Sequence, residues 1–270
     1  MEYDPIKRSL GSIFNKNPFL RKTFYRLLDL LLLRAWHVHK ELRSWMQRAP
    51  KNADILDAGA GFGQYTFWLH SKSRDYTILS VDVKDEQVAD CNRFFKEIGG
   101  KNVHFQVEDL RQFYKDESFD LTLSVDVMEH ILEDVQVFKN IYRSLRPGGM
   151  LLISTPSDQG GSDVHGDGET SFIEEHVRDG YNIEEIKTKI YSAGFSKVEA
   201  RYSYGTPGKI SWRLSMKYPI VFLGKVPKII GYPLLPFYFL ITYPFAFVLN
   251  YLDVSTHHKT GTGLIVKAWK

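Results

Sequence analysis

The sequence predicts an α/β fold: a doubly wound, mostly parallel sheet covered by helices on both faces. Apolar, strand-like runs alternate with helical patterns from Ala53 onward. Three glycines at alternate positions follow the first run, and the next three runs end in acidic residues. Strands that alternate with helices form parallel sheets with helical cover on both faces. Such sheets bind ligands at the carboxyl ends of their strands, which is where these acids would lie.

The composition is that of an ordinary globular protein. The chain has 270 residues, of which 43% are hydrophobic and 25% charged, and its net charge is +3. So small a charge favours no particular class of partner. The single cysteine, Cys91, excludes an internal disulfide and makes a cysteine metal cluster implausible. Residues 1–10 contain charged residues and show no secretory signal, so we expect a cytoplasmic, reducing setting.

Four segments follow from the patterns: an N-terminal arm and helix (1–50), a core (51–204), a hydrophobic insertion (205–260) and the last strand of the core (261–270). The first segment predicts one helix from Pro18 to about Arg48. Its apolar middle contains Asp29 and is too short and too charged to span a bilayer. We expect this helix to pack on the domain or to cap the cofactor cleft, and a membrane-surface helix is the alternative.

The central motif lies at residues 55–66. Residues 55–57 predict a buried strand, Gly59, Gly61 and Gly63 follow, and a helical pattern begins directly after them. Glycine has no Cβ, so the backbone can turn tightly and approach a ligand, and the helix start adds unpaired N–H groups. A dinucleotide fingerprint would need glycine at position 64, which is Gln64, so a pyrophosphate site is the less natural interpretation.

The segment Asp57-Ala58-Gly59-Ala60-Gly61-Phe62-Gly63 resembles motif I of the class I S-adenosylmethionine-dependent methyltransferases, of the small-molecule type. The similarity extends over roughly residues 54–157. The resemblance implies a Rossmann-like sheet of seven strands with an antiparallel last strand. It also implies S-adenosyl-L-methionine as cofactor, S-adenosyl-L-homocysteine as product and no metal.

The later elements are predicted in order. Strands are expected at residues 76–83, 102–107, 119–126, 150–155, 197–204 and 261–269, the fifth announced by the turn at 146–149. A helix over residues 134–145 would have Asp134 as its N-cap. Another would start at Asn182, with Glu185 completing a capping box, and end at Gly194.

The resemblance assigns the cofactor contacts. Asp82 would accept the ribose hydroxyl hydrogens, and Asp57 would lie near the cofactor's ammonium group or anchor the glycine turn. Asp109 would accept from the adenine amine, with the Leu110 backbone beside the ring; Glu108 is the alternative acid, one residue earlier. The full predicted set is Asp57, Gly59, Ala60, Gly61, Gly63, Asp82, Val83, Glu108, Asp109, Leu110, Ser124, Val125 and Asp126.

The predicted catalytic residues are His130, His176 and Glu129. The fourth strand leads into Glu129-His130, which resembles the Glu-His pair common in small-molecule members of the family. His130 is either a general base, because imidazole titrates near neutrality, or a structural hydrogen-bonding group, because many methyl transfers need only alignment. Glu129 shares both interpretations. His176 is the second candidate base, with helix packing as its alternative.

Acidic and histidine residues also alternate in a glycine-rich loop at Asp163, His165, Asp167 and Glu169. This spacing is more typical of a flexible lid than of a metal site.

The insertion has an unusual composition. No acidic residue occurs between Arg201 and Leu252, and residues 229–252 carry no charge. That stretch could span a bilayer by length, but its prolines Pro233, Pro236 and Pro244 would each remove a hydrogen bond where no water replaces it. Two alternatives stay open: a soluble lid, or a membrane-interface element over 205–252 on the inner face of the membrane. Both predict a hydrophobic or lipid-linked acceptor.

The leading hypothesis is therefore S-adenosylmethionine-dependent methylation of oxygen, nitrogen or carbon in a small acceptor. One alternative is an NAD(P)-dependent oxidoreductase, disfavoured by Gln64 and by the lack of a tyrosine-x-x-x-lysine pair after the fourth strand. The other is a non-catalytic protein that keeps the cofactor fold and docks to membranes. Nucleic acid is not expected as a partner, because the basic residues interleave with apolar ones.

Overall fold

The computed structural model describes residues 17–160 and 177–270, apart from the side chains of residues 228–230. Its centre is a seven-stranded sheet in the order β3-β2-β1-β4-β5-β7-β6. The strands are β1 (Asp54–Ala58), β2 (Thr77–Asp82), β3 (Val103–Val107), β4 (Phe119–Val125), β5 (Leu145–Pro156), β6 (Lys197–Ser203) and β7 (Gly263–Trp269).

Helices cover this sheet and extend it at the N-terminus and in the insertion. Those of the N-terminal region and core are α1 (Pro18–Leu31), α2 (Leu33–Met46), α3 (Gln64–Lys72), α4 (Asp85–Glu97), α5 (Asp134–Ser144) and α6 (Ile183–Ser192), and a short 3-10 turn spans Met128–His130. The insertion contains α7 (Thr206–Trp212), a π-helical turn (Arg213–Lys217), α8 (Tyr218–Lys225) and α9 (Lys228–Ser255).

The sheet topology creates a ligand-binding edge. Strands β1 to β5 pair in parallel, and β7 runs antiparallel to both β5 and β6. The strand order reverses between β1 and β4, and ligands bind above such a switch point. Because β6 runs in the same direction as β5, the insertion leaves the sheet at this same edge. The predicted mostly parallel sheet with an antiparallel last strand is confirmed.

Two hydrophobic cores lie on opposite faces of the sheet, because neighbouring strand residues point to opposite sides. In β1, Ile55 belongs to one core, with Tyr25 of α1. Leu56 belongs to the other, with Phe138 of α5. The central strands are therefore buried on both faces, which explains their nearly continuous apolar sequence.

The predicted single helix over residues 18–48 is wrong, because the structure has two helices. Leu32 is extended (φ −87°, ψ 110°) and its N–H closes α1 on Leu28 O at 2.9 Å. The backbone N–H of Arg34 then donates to the Tyr204 hydroxyl at 2.9 Å. No glycine or proline marks this break, and the residue that accepts from the start of α2 lies far away in the sequence.

Three smaller predictions also need correction. Asp134 does not cap its helix: Glu133 occupies the N-cap, and Asp134 is buried against Arg178 and Lys189. The capping box at Asn182 is half formed, because Asn182 accepts from Glu184 N at 2.9 Å while Glu185 pairs with Lys189 at 2.7 Å. The turn at residues 146–149 lies inside β5, where the pairing with β4 shifts register between Phe119 and Leu121.

Candidate active site

The glycine turn joins β1 to α3, and it requires glycine both for its backbone conformation and, at Gly59, for lack of space. Gly59, Gly61 and Gly63 have φ values of +81°, +53° and +81°, a region that side chains rarely adopt. At Gly59 a Cβ would also lie 2.4 Å from Val127 Cγ2. At Gly61 the nearest atom to a Cβ would be 3.9 Å away. The turn therefore packs tightly beneath Gly59 and opens into free space above Gly61.

Backbone hydrogen bonds hold the turn against β2. The N–H groups of Gly59 and Ala60 both donate to Val81 O, at 2.9 and 3.0 Å. The N–H of Gly63 donates to Ala60 O at 2.9 Å. Gly59 and Ala60 are thus fixed to the neighbouring strand β2, and Gly63 is fixed to Ala60.

Asp82 lies at the end of β2 and faces the glycine turn. Its Oδ2 accepts from Gly61 N at 2.8 Å, and its Oδ1 accepts from Lys84 N at 3.0 Å. A carboxylate oxygen has lone pairs for more than one donor, so both oxygens can still accept hydroxyl hydrogens. The adjacent Val83 has an exposed side chain. The predicted ribose acid and the predicted glycine turn therefore meet at one point.

Asp57 lies beneath the turn rather than on its open side. It is 3% exposed, and Thr66 Oγ1 of α3 donates to its Oδ2 at 2.6 Å. Burial raises the pKa of its carboxyl to about 6, and the charge of Asp82 adds to this shift. Of the two predicted roles, this hydrogen bond corresponds to anchoring the turn, because it ties β1 to α3.

The two acids after β3 differ in their partners. Both oxygens of Asp109 accept from Arg111, with Nη2 at 2.6 Å from Oδ2, and this hydrogen bonding lowers the pKa of Asp109. The backbone N–H of Glu108 donates to Asp82 O at 3.1 Å. Leu110 is buried, and its carbonyl accepts from Asn140 at 2.9 Å. In its predicted role, Asp109 would share its oxygens between the adenine amine and Arg111, which is about half exposed.

At the tip of β4 the chain turns sharply. Asp126 has φ +53°, its N–H donates to Ser154 O at 2.8 Å, and its carboxylate forms an ion pair with Arg34 of α2. Val125 is partly exposed. Ser124 is fully buried, and its hydroxyl has no hydrogen-bond partner among the described residues. Arg34 and Tyr204 therefore join the site from distant segments, and sequence patterns did not indicate either one.

The 3-10 turn after β4 carries Glu129 and His130. Glu129 is 1% exposed, accepts from Thr155 Oγ1 at 3.0 Å, and has a pKa raised to about 7 by burial. His130 is partly exposed, and its backbone N–H donates to Val127 O at 3.0 Å. The two neighbours thus occupy different environments, the carboxyl inside the protein and the imidazole nearer its surface.

Part of the predicted site lies outside the described residues. This applies to His176 and to the loop residues Asp163, His165, Asp167 and Glu169. Arg178 is described: it pairs with Asp134 and donates to Ile131 O at 2.7 Å, which pins the segment after the 3-10 turn. Within residues 17–160 and 177–270, no group of three or more histidine, cysteine or acidic side chains is arranged to hold a metal ion.

Comparison with known proteins identifies the central domain. Residues 56–153 match the family model described as a methyltransferase domain. Phosphoethanolamine N-methyltransferase 1 of Triticum aestivum is 28% identical over 158 residues, which are 54% of this chain and 29% of that protein. Ubiquinone biosynthesis O-methyltransferase of Rickettsia akari is 21% identical over 123 residues, 46% of this chain and 48% of that protein. The chain therefore spans less than a third of the wheat protein and about half of the bacterial one.

Solved structures share the fold. Phosphoethanolamine N-methyltransferase 2 of Haemonchus contortus, solved in complex with S-adenosyl-L-methionine, has a TM-score of 0.57 at 21% identity, covering 86% of this chain and 52% of its own. Identity this low supports the fold alone. The Rossmann-like fold predicted from the sequence is confirmed, and the domain match agrees with the predicted cofactor.

Proposed function

Residues 56–153 carry a methyltransferase domain, and from that premise we propose that this chain is a class I S-adenosylmethionine-dependent methyltransferase that methylates a small hydrophobic or lipid-linked acceptor at a membrane surface. The observation that carries the enzymatic part is the meeting of Asp82 with Gly61, 2.8 Å from carboxylate oxygen to backbone nitrogen. The cofactor would supply a methyl group made electron-poor by its sulfonium.

The described residues fit this cofactor. The space above Gly61 is open, and Asp82 borders it with two accepting oxygens. Of the other acids at this edge, Asp57 is buried beneath the turn and Asp126 pairs with Arg34. The Asp82 carboxylate faces the open space, where it favours a cationic ligand because opposite charges attract strongly where water is scarce. Asp82, with Asp109 or Glu108, would hold the adenosine, and Gly59 and Gly61 would make room for it.

The role of the protein in methyl transfer is mainly positional. It aligns the acceptor with the methyl carbon and excludes water. Where an acceptor must lose a proton, the 3-10 turn offers His130 and Glu129, and the raised pKa of Glu129 suits a base working near neutral pH. His176 remains a predicted second base.

A dinucleotide oxidoreductase is the weaker alternative. Its fingerprint needs glycine at position 64, where this chain has Gln64. That side chain is buried and donates to Asp29 of α1 at 2.7 Å. Position 64, where the dinucleotide fingerprint requires a glycine without a side chain, therefore carries a glutamine side chain that is hydrogen-bonded to α1.

The hydrophobic acceptor and the membrane contact rest on helix α9. Within the described residues, Gly231–Ser255 is the one helix long and apolar enough to cross a membrane, and only 6% of its most apolar stretch is buried. The most exposed of its large apolar side chains are Phe237, Leu240, Ile241 and Phe245, at 66%, 76%, 69% and 66%. An uninterrupted apolar face of this size is typical of contact with another apolar phase.

Contacts along α9 favour a position in the plane of the membrane over one that spans it. Tyr238 Oη donates to Leu214 O at 2.7 Å, and Tyr243 Oη donates to Leu30 O at 3.0 Å. Near the C-terminal end of the helix, Asp253 is fully buried against α2. Tyr243 and Asp253 attach the C-terminal half of α9 to α1 and α2, and Tyr238 attaches its N-terminal half to the π-helical turn of the insertion. The opposite, outer face is therefore the one left to meet lipid.

The charge pattern supports an anionic lipid surface. Basic residues are the only charged ones between Arg201 and Leu252, and cations beside an apolar face bind anionic headgroups. The insertion also leaves the sheet at the edge that carries the glycine turn. A lipid-linked acceptor would therefore reach the cleft from the bilayer, on the inner face if the chain is cytoplasmic.

Two measurements test this proposal. Turnover of S-adenosyl-L-methionine to S-adenosyl-L-homocysteine with a lipid extract should exceed turnover with a water-soluble extract. Co-sedimentation with anionic vesicles should be lost in Phe245→Asp and kept in Tyr191→Asp, a matched exposed aromatic residue on α6. Vesicle binding without any turnover would favour the non-catalytic docking protein. Turnover without vesicle binding at low salt would refute the membrane contact.

A further inference from the structure

Helix α1 contacts the glycine turn through one backbone atom, the carbonyl oxygen of Phe62. Arg21 Nη2 donates to it at 3.0 Å and Tyr25 Oη at 2.5 Å. A carbonyl oxygen has two lone pairs, so both are in use. Phe62 lies between Gly61, which borders the open space, and Gly63, where a Cβ would lie 3.0 Å from the Phe105 ring. A helix outside the core domain therefore holds the middle of the cofactor turn.

The two donors are themselves held in place. Arg21 is 2% exposed; its Nε donates to Tyr25 Oη at 2.6 Å, its Nη1 to Asp90 Oδ2 at 2.6 Å, and its Nη2 also lies 3.1 Å from Cys91 Sγ. The guanidinium thus links α1, α4 and the turn. Burying an arginine is costly unless its donors are paired, so this arrangement allows little movement.

A second contact from the same helix face reaches the end of the turn. Gln64 Nε2 donates to Asp29 Oδ1 at 2.7 Å. Residues 21, 25 and 29 are spaced by four and lie on one face of a helix. Burial raises the pKa of the Asp29 carboxyl to about 6. We call Arg21, Tyr25 and Asp29 the α1 clamp.

We propose that the α1 clamp is a positioning device for the cofactor, in which Arg21 and Tyr25 act through the Phe62 carbonyl. The proposal rests on the proposed function in that the ligand is S-adenosyl-L-methionine. Glycine loses more backbone freedom on ordering than any other residue, so a turn with three glycines is intrinsically mobile. The Phe62 oxygen and the Gly63 N–H belong to one planar peptide unit, and that N–H donates to Ala60 O at 2.9 Å. Fixing the Phe62 oxygen therefore also fixes the peptide unit that closes the turn on Ala60.

Preorganisation of this kind raises affinity, because the ordering of the turn is complete before the ligand arrives. A helix that merely packed on the domain would need apolar contacts alone. In this protein the buried side chains of Arg21 and Tyr25 instead both donate hydrogen bonds to the Phe62 carbonyl of the turn. The affinity for the cofactor should therefore depend on single polar atoms of α1 that do not touch the ligand.

The sharpest test uses Tyr25→Phe, which removes one oxygen and keeps the ring. Tyr76→Phe is the matched control, because Tyr76 is 4% exposed in the same hydrophobic core and packs on Trp45 with ring centres 6.0 Å apart. Calorimetry should show S-adenosyl-L-methionine and S-adenosyl-L-homocysteine binding about 5- to 30-fold more weakly to Tyr25→Phe, the range for loss of one buried hydrogen bond. Arg21→Lys should weaken binding in the same direction, and Tyr76→Phe should bind as wild type does.

Amide hydrogen exchange tests the clamp without any ligand. In Tyr25→Phe the amides of residues 59–64 should exchange faster than in Tyr76→Phe, because local opening of the turn becomes easier. Unchanged affinity and unchanged exchange, with only a lower melting temperature, would overturn the proposal. If the wild-type protein itself binds neither compound, the proposed function fails, while the exchange result still decides whether the clamp orders the turn.

Discussion

The carboxylate of Asp82 accepts a hydrogen bond from the backbone nitrogen of Gly61, with 2.8 Å between the two atoms. One residue ends β2 and the other lies in the turn after β1, which is the neighbouring strand. The contact brings the acid expected to bind ribose to the border of the space above Gly61. The most direct predictions concern this pair.

Replacing Asp82 with asparagine should weaken S-adenosyl-L-methionine binding about 10- to 100-fold. Hydrogen bonds to a charged acceptor contribute about 1.5–3 kcal/mol, and the neutral amide loses that advantage. Calorimetry measures the affinity. The control is Asp85→Asn, an exposed acid at the start of α4. An equal loss in both variants would mean that general charge, and not this contact, governs binding.

Substitution of Gly59 by alanine should abolish cofactor binding and destabilise the fold. The new Cβ would combine a φ of +81° with a 2.4 Å approach to Val127 Cγ2. Gly99→Ala separates the two effects, because Gly99 has φ +76° and no atom within 4 Å of a Cβ. In Gly99→Ala we expect the free energy of unfolding to fall by about 1–2 kcal/mol, because of backbone strain alone. Urea unfolding should show a clearly larger loss for Gly59→Ala; similar losses would rule out the contact with Val127.

The buried carboxyl of Glu129 should make stability depend on pH. Its folded-state pKa is raised to about 7, whereas an unfolded glutamate titrates near 4.3. Between these values the unfolded chain loses the proton first, so the stability that the group contributes is complete at low pH and is lost as pH rises towards 7. Urea unfolding from pH 4.5 to 7.5 should show a larger loss of stability in wild type than in Glu129→Gln, in which Asp57 and Asp29, whose pKa values are also raised to about 6, still contribute.

If Glu129 also accepts a proton during turnover, kcat/KM should rise with pH through about 7 in wild type. Glu129→Gln should lose that rise, whereas Glu133→Gln, which changes an exposed acid nearby, should keep it. A rise that persists in Glu129→Gln would exclude Glu129 as the base and leave His130 or His176.

Loss of Asp253 should detach the insertion from the core. This fully buried carboxylate accepts from Tyr204 N at 3.1 Å and from Gly208 N at 2.8 Å, and His37 Nε2 lies 2.8 Å from it. Asp253→Ala should lower the free energy of unfolding by about 3 kcal/mol or more, because several hydrogen bonds to one charged carboxylate are lost together. Urea unfolding and limited proteolysis of residues 205–260 measure the effect. Asp75→Ala, at an exposed acid, should change neither.

Much of the fold was predictable because its signals are local. The strands of the core begin and end within a few residues of their predicted positions, apart from the early start of β5, and the insertion lies between β6 and β7 as its composition indicated. Period-two and apolar runs depend on neighbouring residues alone. The break at Leu32 was not predictable, because no local signal marks it and the N–H of Arg34 that follows it donates to the Tyr204 hydroxyl, far away in the sequence.

The candidate site was predictable in part for the same reason. Glycine spacing and an acid at a strand end pointed to the turn and to Asp82. Arg34, Tyr204, Arg21 and Tyr25 carry no such signal, since each is an ordinary residue of a helix or strand until a distant segment meets it. The arginine that pairs with Asp126 is 92 positions away from it in the chain.

By itself the sequence determined the strand order along the chain, the position of the glycine turn and the acids that border it, because backbone preference and side-chain period act over a few residues. The tertiary structure alone decided which face of α1 reaches the Phe62 carbonyl, which oxygens of Asp109 are already occupied, and that the apolar helix of the insertion remains exposed. Those outcomes depend on which distant groups are buried together, and burial is a property of the whole folded chain.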